Sequence, residues 1–397
     1  MTSGTDQVVG ISDAESSAAL GLVQRVCADA TRHIDVFFAS SPNCTPQDAA
    51  STVSAIISAA CKSINPSYEY RVIFDHINDF MPNMHRELCI VDINKTICLF
   101  TFPKFWFHVN NQNQMAQLAK RVISLSPVLP RRSFFCDNSG FKFVFEIGDN
   151  GYMASVAFCS KNNFGCLIPD WDFISSSGYA SIAREFELTR VPWADRKAAV
   201  FWRGGTTGVR RFDPPDEGKP DDFRWLQRLW LCKVARGSVH RNMCDIAISN
   251  IVQIHEEHLV ARLRSENLMG DYVQRAEIGK FQGIIDIDGN SNAWSGLFTA
   301  LLSGACVFKV GSEKDYRQWY YFRLSPFKNY IPISHDFGDF DDAISWLLHS
   351  GGAASEVAAA GQALALELTF DKSTTNARDE LETWLRESFA VQRTLCA

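Results

Sequence analysis

Apolar positions change their period several times along the chain. From 18 to 65 they recur at helical spacing, through Leu20, Val23 and Val26. Between 68 and 110 the runs YRVIF, LCIVDI and ICLFTF are short and rich in β-branched and aromatic residues, the composition of strands. A helix is expected near 113–125, and strands return in FKFVFEI and MASVAFCS around 140–160. The stretch 169–180, PDWDFISSSGYA, groups Pro, Gly and three serines and reads as loop. A helix at 180–187 follows.

At Pro192-Trp193 the pattern changes. KAAVFWRGG is a strand running into a glycine turn, and a charged, Pro-rich insertion occupies 212–222. Short apolar runs then alternate with helical segments: GIIDID, AWSGLFTALLS, ACVFKV, NYIPI and DDAISWLLHS. Trp294, Phe298, Leu301 and Leu302 fall at i, i+4, i+7 and i+8, an amphipathic helix. Strand–helix–strand units at this spacing predict a parallel sheet covered by helices. Helices over 353–367 and 375–392 close the chain. The expected division is a mobile N-terminus at 1–17, a first α/β domain at 18–190, a doubly wound domain at 191–372 and a final helix at 373–397. A cleft between two α/β domains is the default ligand site. In α/β sheets that site lies at the carboxyl ends of the strands.

Composition narrows the class. A chain of 397 residues is long for one core, and 46% hydrophobic with 21% charged residues matches a soluble globular protein. A net charge of −6 argues against a nucleic-acid backbone as partner. No run of 18 apolar residues offers a membrane span. The first seventeen residues show no basic region followed by an apolar run, so no secretory leader is expected. Twelve cysteines form no C-x-x-C pair and sit mostly in apolar runs, the pattern of buried, reduced thiols.

Three segments carry chemistry. Phe201-Trp202-Arg203-Gly204-Gly205-Thr206-Thr207-Gly208 delivers an arginine and two hydroxyls on a glycine turn. Glycines let backbone N–H groups approach an anion, and arginine holds a phosphate bidentately. It is neither a Walker loop nor a dinucleotide fingerprint. The second segment runs Asp286-Ile287-Asp288-Gly289-Asn290-Ser291-Asn292-Ala293-Trp294-Ser295-Gly296. Here a strand ends in a turn and a helix opens, with Ser291 or Asn292 as natural N-cap. Three readings stand: a phosphate cradle at the helix end, an Asp286/Asp288 pair gripping a metal and a diphosphate, or a plain turn. In the third, Lys309 ends a strand on the phosphate side and Glu313 follows as an acceptor for ribose hydroxyls. The bland reading makes Lys309 a solvated strand end. His255 and His258 lie three apart, one short of the zincin spacing, and read as surface histidines. Asn43-Cys44-Thr45 and Asn94-Lys95-Thr96 match the glycosylation sequon and read as chance. No G-x-S-x-G elbow occurs.

In this order, VPWADRKAAVFWRGGTTG, IIDIDGNSNAWSGLFTALLSGACVFKV and QWYYFRLSPFKNYIPI resemble glycosyltransferase family 90 over about 150–350. Its bacterial members resemble the chain most, through Ala157-Phe158-Cys159-Ser160 and Ile168-Pro169-Asp170. The resemblance implies a GT-B fold, two Rossmann-like domains facing across a cleft. The first would be the acceptor side, the second would hold the nucleotide sugar, and the last helix would return to the first. It implies a UDP-sugar donor (glucose or xylose), inversion at the anomeric carbon, and neither metal nor further cofactor. It places Arg203 near the donor diphosphate and makes the 288–296 turn the nucleotide loop. Two positions depart from the family. Leu297 stands where many members carry arginine, which shifts phosphate charge onto Arg203, Lys309 and helix amides. Ser177-Gly178-Tyr179 stands at an Arg-Asp-Tyr triplet whose aspartate is the base in animal enzymes, leaving Asp170 and Asp172 as the nearest carboxylates.

The expectation is therefore an inverting, metal-independent transferase. UDP-sugar sits on Arg203, Gly204, Gly205, Thr206, Thr207, the loop residues Asp288 to Asn292, Trp294, Ser295, Gly296, Lys309 and Glu313. Asp170 or Asp172 deprotonates the acceptor. The acceptor is a glycan, a lipopolysaccharide or a protein hydroxyl, met in the cytoplasm with peripheral contact at the inner face of the membrane. The rivals are a catalytically degenerate glycan- or nucleotide-binding protein and a metal-dependent GT-A transferase built on Asp286 and Asp288.

Overall fold

The computed structural model describes residues 13–41, 44–75, 88–103, 112–135, 140–149, 155–161 and 165–395. Of the N-terminus expected to be mobile, 13–17 are helical and 1–12 lie outside the described residues. Two compact units emerge. Unit 1 takes Met1–Ile147, Phe173–Gly178 and Phe370–Ala397; unit 2 takes Gly148–Asp172 and Tyr179–Thr369.

Unit 1 opens with helices α1 (Asp13–Ser40) and α2 (Pro46–Ile64). Thr45 caps α2, its hydroxyl accepting from the Asp48 amide, with proline in the first turn. Strands β1 (Glu69–Asp75), β2 (Leu88–Ile93) and β3 (Ile97–Pro103), helix α3 (Gln112–Ile123) and strand β4 (Phe141–Glu146) follow. The sheet is mixed: β1 runs parallel to β3, whereas β2 is antiparallel to both β3 and β4. A Rossmann-like first half was expected, and this sheet departs from it. The reason is the three-residue link after β2. Asn94 turns the chain there by accepting from the Thr96 and Ile97 amides, and so short a link permits only an antiparallel neighbour. Phe100, Phe102 and Phe145 fill the core.

Unit 2 begins with short strands β5 (Val156–Ala157), β6 (Cys159–Ser160) and β7 (Cys166–Leu167). Helix α4 (Trp171–Ser175) follows where loop was expected, because Asp170 accepts from the Asp172 amide at 3.0 Å and starts a turn. The unit boundary falls within α4. After α5 (Ala180–Leu188) come β8 (Lys197–Gly205), α6 (Gln227–Gly237), β9 (Cys244–Asn250), α7 (Glu257–Ser265), α8 (Arg275–Ile278) and β10 (Phe281–Asp286). Then come α9 (Ser295–Leu302), β11 (Cys306–Val310), β12 (Arg317–Gln318), β13 (Ile331–Ile333), α10 (Phe340–His349) and α11 (Ala353–Glu367). Residues 148–172 group with this unit rather than the first domain in part because β6 pairs with β12.

Five strands of unit 2 form one sheet in the order β13-β11-β10-β8-β9, every pair parallel. Counted along the chain this is 2-1-3-4-5. The connections leave β8 and β10 toward opposite edges, so their carboxyl ends part and a crevice opens between the loops. Helix α9 packs against β10, β11, α5 and α11. Every residue from Leu297 to Leu302 is buried, so the amphipathic helix expected there is instead buried all round.

The final helix, α12 (Phe370–Leu395), groups with unit 1. Arg378 donates to the Leu129 and Pro127 carbonyls, and Arg131 pairs with Asp379 and Glu382. Ten described cysteines are unbridged, eight of them buried. Among the described residues no helix is long and apolar enough to cross a membrane.

Candidate functional site

The crevice of unit 2 lies at the strand reversal. Its walls include Thr207 and Gly208 after β8, Asp288 and Gly289 after β10, and Glu313 beyond β11. Each loop is locally determined. Thr206 is fully buried, its hydroxyl accepting from the Val252 amide and its own amide donating to Asn250. Gly289 is tightly packed: a Cβ there would lie 3.1 Å from both the Thr207 hydroxyl and an Arg228 nitrogen, so either would have to shift slightly.

Arg228, on the first turn of α6, joins the two walls. Its Nε donates to the Asp288 carbonyl at 2.8 Å and one Nη to the Ile287 carbonyl at 3.2 Å. The other Nη donates to the Gly205 carbonyl and to the Thr207 hydroxyl, at 3.2 and 2.7 Å. Burial lowers its pKa to about 10, with Asp286 and Asp288 pulling the other way, so it stays charged at neutral pH. Sequence reasoning missed this residue. The available signal was one arginine inside the apolar run Trp225 to Leu231.

Behind the second wall lies an ion pair. Lys309 donates to Asp286 at 2.9 Å, and their side chains are 12% and 1% exposed, so the solvated strand end is corrected to a buried cation. Burial alone would lower the Lys309 pKa, but Asp286 and Asp288 more than offset this and raise it. Asp288 lies past the end of β10 rather than on it. Burial pushes its carboxyl up to about 6, against the pull of Lys309. Asn292 accepts from the Trp294 amide at 2.6 Å and from Gln318 at 2.7 Å. The N-cap position of α9 falls on Trp294, at φ 49°, and not on Ser291 or Asn292, both of which are buried. Ser295 is half-buried and Gly296 exposed, so the first turn of α9 meets solvent. Asn290 is half-buried between Gly289 and Ser291.

Several expected residues sit elsewhere. Arg203 does not line the crevice. Its guanidinium bonds to the Asp245 carboxylate at 2.5 Å and to the carbonyls of Trp202, Asp245 and Asp271. Gly204 and Gly205 lie beside it on β8 as half-buried backbone. Glu313 lines the crevice and accepts from Arg211 at 2.7 Å. Arg210, Arg211 and Lys314 line it too. Asp170 is 2% exposed and accepts from the Tyr179 hydroxyl at 3.2 Å besides the Asp172 amide, while Asp172 is half-buried. Ser177, Gly178 and Tyr179 all adopt positive φ, at 54°, 75° and 58°, a conformation unusual for the two non-glycines. His255 precedes α7 rather than sharing it with His258. Among the described residues no group of three or more His, Cys, Asp or Glu is placed to hold a metal.

A parallel 2-1-3-4-5 sheet with a basic crevice at its reversal defines an open, doubly wound α/β unit. Residues 226–373, nearly all of them in this unit, match the model of glycosyl transferase family 90. The Mus musculus Protein O-glucosyltransferase 3 is 28% identical over 225 residues, 55% of this chain and 39% of that protein. The Uncharacterized protein 035R of Invertebrate iridescent virus 3 is 23% identical over 208 residues, 49% of this chain and 18% of that protein. The match thus spans well under half the length of either relative. A crystal structure of Anabaena HepE in complex with UDP-glucose is similar at a TM-score of 0.30 and 11% identity, over 51% of this chain and 53% of that one.

Proposed function

We propose that this protein is a glycosyltransferase that moves a sugar, glucose or xylose, from a UDP-sugar to a hydroxyl of a glycan, a lipopolysaccharide or a protein. The observation that carries the reading is the overlap of the family 90 match with the crevice: residues 226–373 include Arg228, the 288–296 turn and Lys309. The donor diphosphate lies between the walls, near Arg210, Arg211, Lys314 and the first turn of α9. These positive groups stabilise the charge that grows on UDP as the glycosidic bond breaks. The acceptor oxygen attacks the anomeric carbon from the opposite face, giving inversion, and a carboxylate takes its proton. Asp170 or Asp172 fills that role, and the Asp170 Oδ1 also accepts from the Asp172 amide and the Tyr179 hydroxyl. The proposed reaction uses neither metal nor further cofactor, with the Lys309 ammonium as the cation beside Asp286. The proposed enzyme is of the GT-B class and works in the cytoplasm at the inner face of the membrane.

The test is UDP release from UDP-glucose and UDP-xylose, with and without glycan acceptors, together with binding of each donor. Turnover that survives EDTA is expected. Loss in EDTA with recovery in manganese would move the assignment to the Asp286/Asp288 metal pair. Donor binding without turnover would leave a glycan- or nucleotide-binding protein, and no binding at millimolar donor would end the reading.

A further inference from the structure

We infer that Arg228 is a positioning residue that sets the width of the crevice, clasping its two walls rather than supplying charge to the ligand. Four acceptors carry this inference. Two stand at the carboxyl end of β8, Gly205 on its last residue and Thr207 in the loop beyond, and two in the loop after β10, Ile287 and Asp288. The strand reversal makes such a clasp necessary. Parallel neighbours inside the sheet hold each other by ladder bonds, but the loops beyond β8 and β10 part as their connections leave in opposite directions. No backbone ladder spans that gap. A planar guanidinium with donors at fixed angles does so in a way that an ammonium cannot. The close packing of Gly289 against both Arg228 and Thr207 leaves little slack, since a single added carbon would already crowd both at 3.1 Å.

The position of Arg228 supports the same role. It sits on α6, whose Leu229 and Leu231 are buried in the core, so the clasp is anchored to the sheet's own packing. Asp286 and Asp288 lie close enough to raise its pKa against the pull of burial, which keeps the fork charged and all its donors in place.

The ligand in this inference is the UDP-sugar proposed above, so the test has one arm that needs no ligand. In ligand-free protein, Arg228→Lys and Arg228→Met should each speed amide hydrogen exchange at 206–208 and 287–289 at least tenfold. In the second arm both variants should weaken UDP-glucose binding at least tenfold. Leu229→Ala, which destabilises the same helix, should leave that affinity within twofold. Unchanged exchange in the lysine variant, or full affinity restored by lysine, would show that charge alone matters and would overturn the clasp. An equal loss of affinity in Leu229→Ala would overturn it as well. If the unaltered protein binds no UDP-glucose, the proposed function fails while the exchange arm still decides the clasp.

Discussion

The two units treat buried polarity differently. In unit 1 it is answered mostly by carbonyls, with Tyr70 Oη and Ser373 Oγ as scattered exceptions. The Tyr68 hydroxyl donates to the Pro130 carbonyl, and the half-buried Asn65 amide to the Ser126 carbonyl. In unit 2, buried atoms without a hydrogen-bond partner gather beyond the ends of β10 and β11: Asp286 Oδ1, Asp288 Oδ1, Ser291 Oγ, Asn292 Nδ2 and Gln318 Oε1. Each such atom costs about 1–3 kcal/mol. A fold keeps several together where something else completes them. Topology explains the place. The antiparallel pairs of unit 1 send successive strand ends to opposite edges, whereas the parallel sheet brings all its carboxyl ends to one edge.

The strongest way to break this comparison is Lys309→Met. It leaves Asp286 charged, buried and without its cation, at a cost of about 3–5 kcal/mol. Urea unfolding measures the loss. Adding Asp286→Asn should recover more than half, since the buried charge then disappears. A loss under about 1 kcal/mol would mean that solvent reaches the pair and that unit 2 is no more strained than unit 1.

A smaller effect sharpens the comparison by matching like with like. Asp221 accepts from the Phe223 amide at 2.7 Å and from the Trp225 indole at 3.1 Å, just before α6. Asp221→Ala strands two buried donors and should cost about 2 kcal/mol. Asp221 fixes the chain's entry into the turn that carries Arg228, which Leu229→Ala leaves intact, so Asp221→Ala should also weaken UDP-glucose binding. Tyr68→Phe removes one buried bond in unit 1, should cost about 1 kcal/mol, and should leave donor affinity unchanged. Equal effects of the two on affinity would erase the distinction between the units.

Local pattern and tertiary arrangement were not equally legible in the sequence. Alternation and β-branched runs located β1, β2, β3, β4 and β8, and the strand–helix spacing predicted the parallel sheet. The order 2-1-3-4-5 was not readable, because it depends on which side each connection takes. The two arginines show the same limit. Arg203 follows a strand into glycines and invites a phosphate role, but it sits opposite Ala247 across the ladder. Asp245, two residues earlier on the same face of β9, therefore captures it. Arg228 has no motif around it, and only the meeting of two loops distant in sequence gives it a task. Asp288 and Gly289 were readable, since a strand end followed by glycine marks the turn wherever the strand lies.

The smallest effect tests whether the crevice is built for an anion. Asp288 lines it with a carboxyl raised to about 6, against 3.8 as its ordinary value. The folded state therefore holds this proton more tightly than the unfolded chain. Its contribution to stability is complete below about 3.8 and is lost as pH rises through about 6. Lys309, Ser312 and Arg228 pull the carboxyl down, while Asp286 and burial push it up. A diphosphate approaching this wall meets a neutral acid at pH 5 and a carboxylate at pH 8. UDP-glucose, whose diphosphate does not titrate in this window, should bind more weakly as pH rises through about 6. The fall should be about tenfold for each unit by which bound donor raises the Asp288 pKa. Asp288→Asn should bind nearly as well at pH 8 as at pH 5. If affinity instead rises with pH, Asp288 accepts hydrogen bonds from donor hydroxyls as a carboxylate, and the diphosphate lies further along the crevice, toward Arg210 and Arg211.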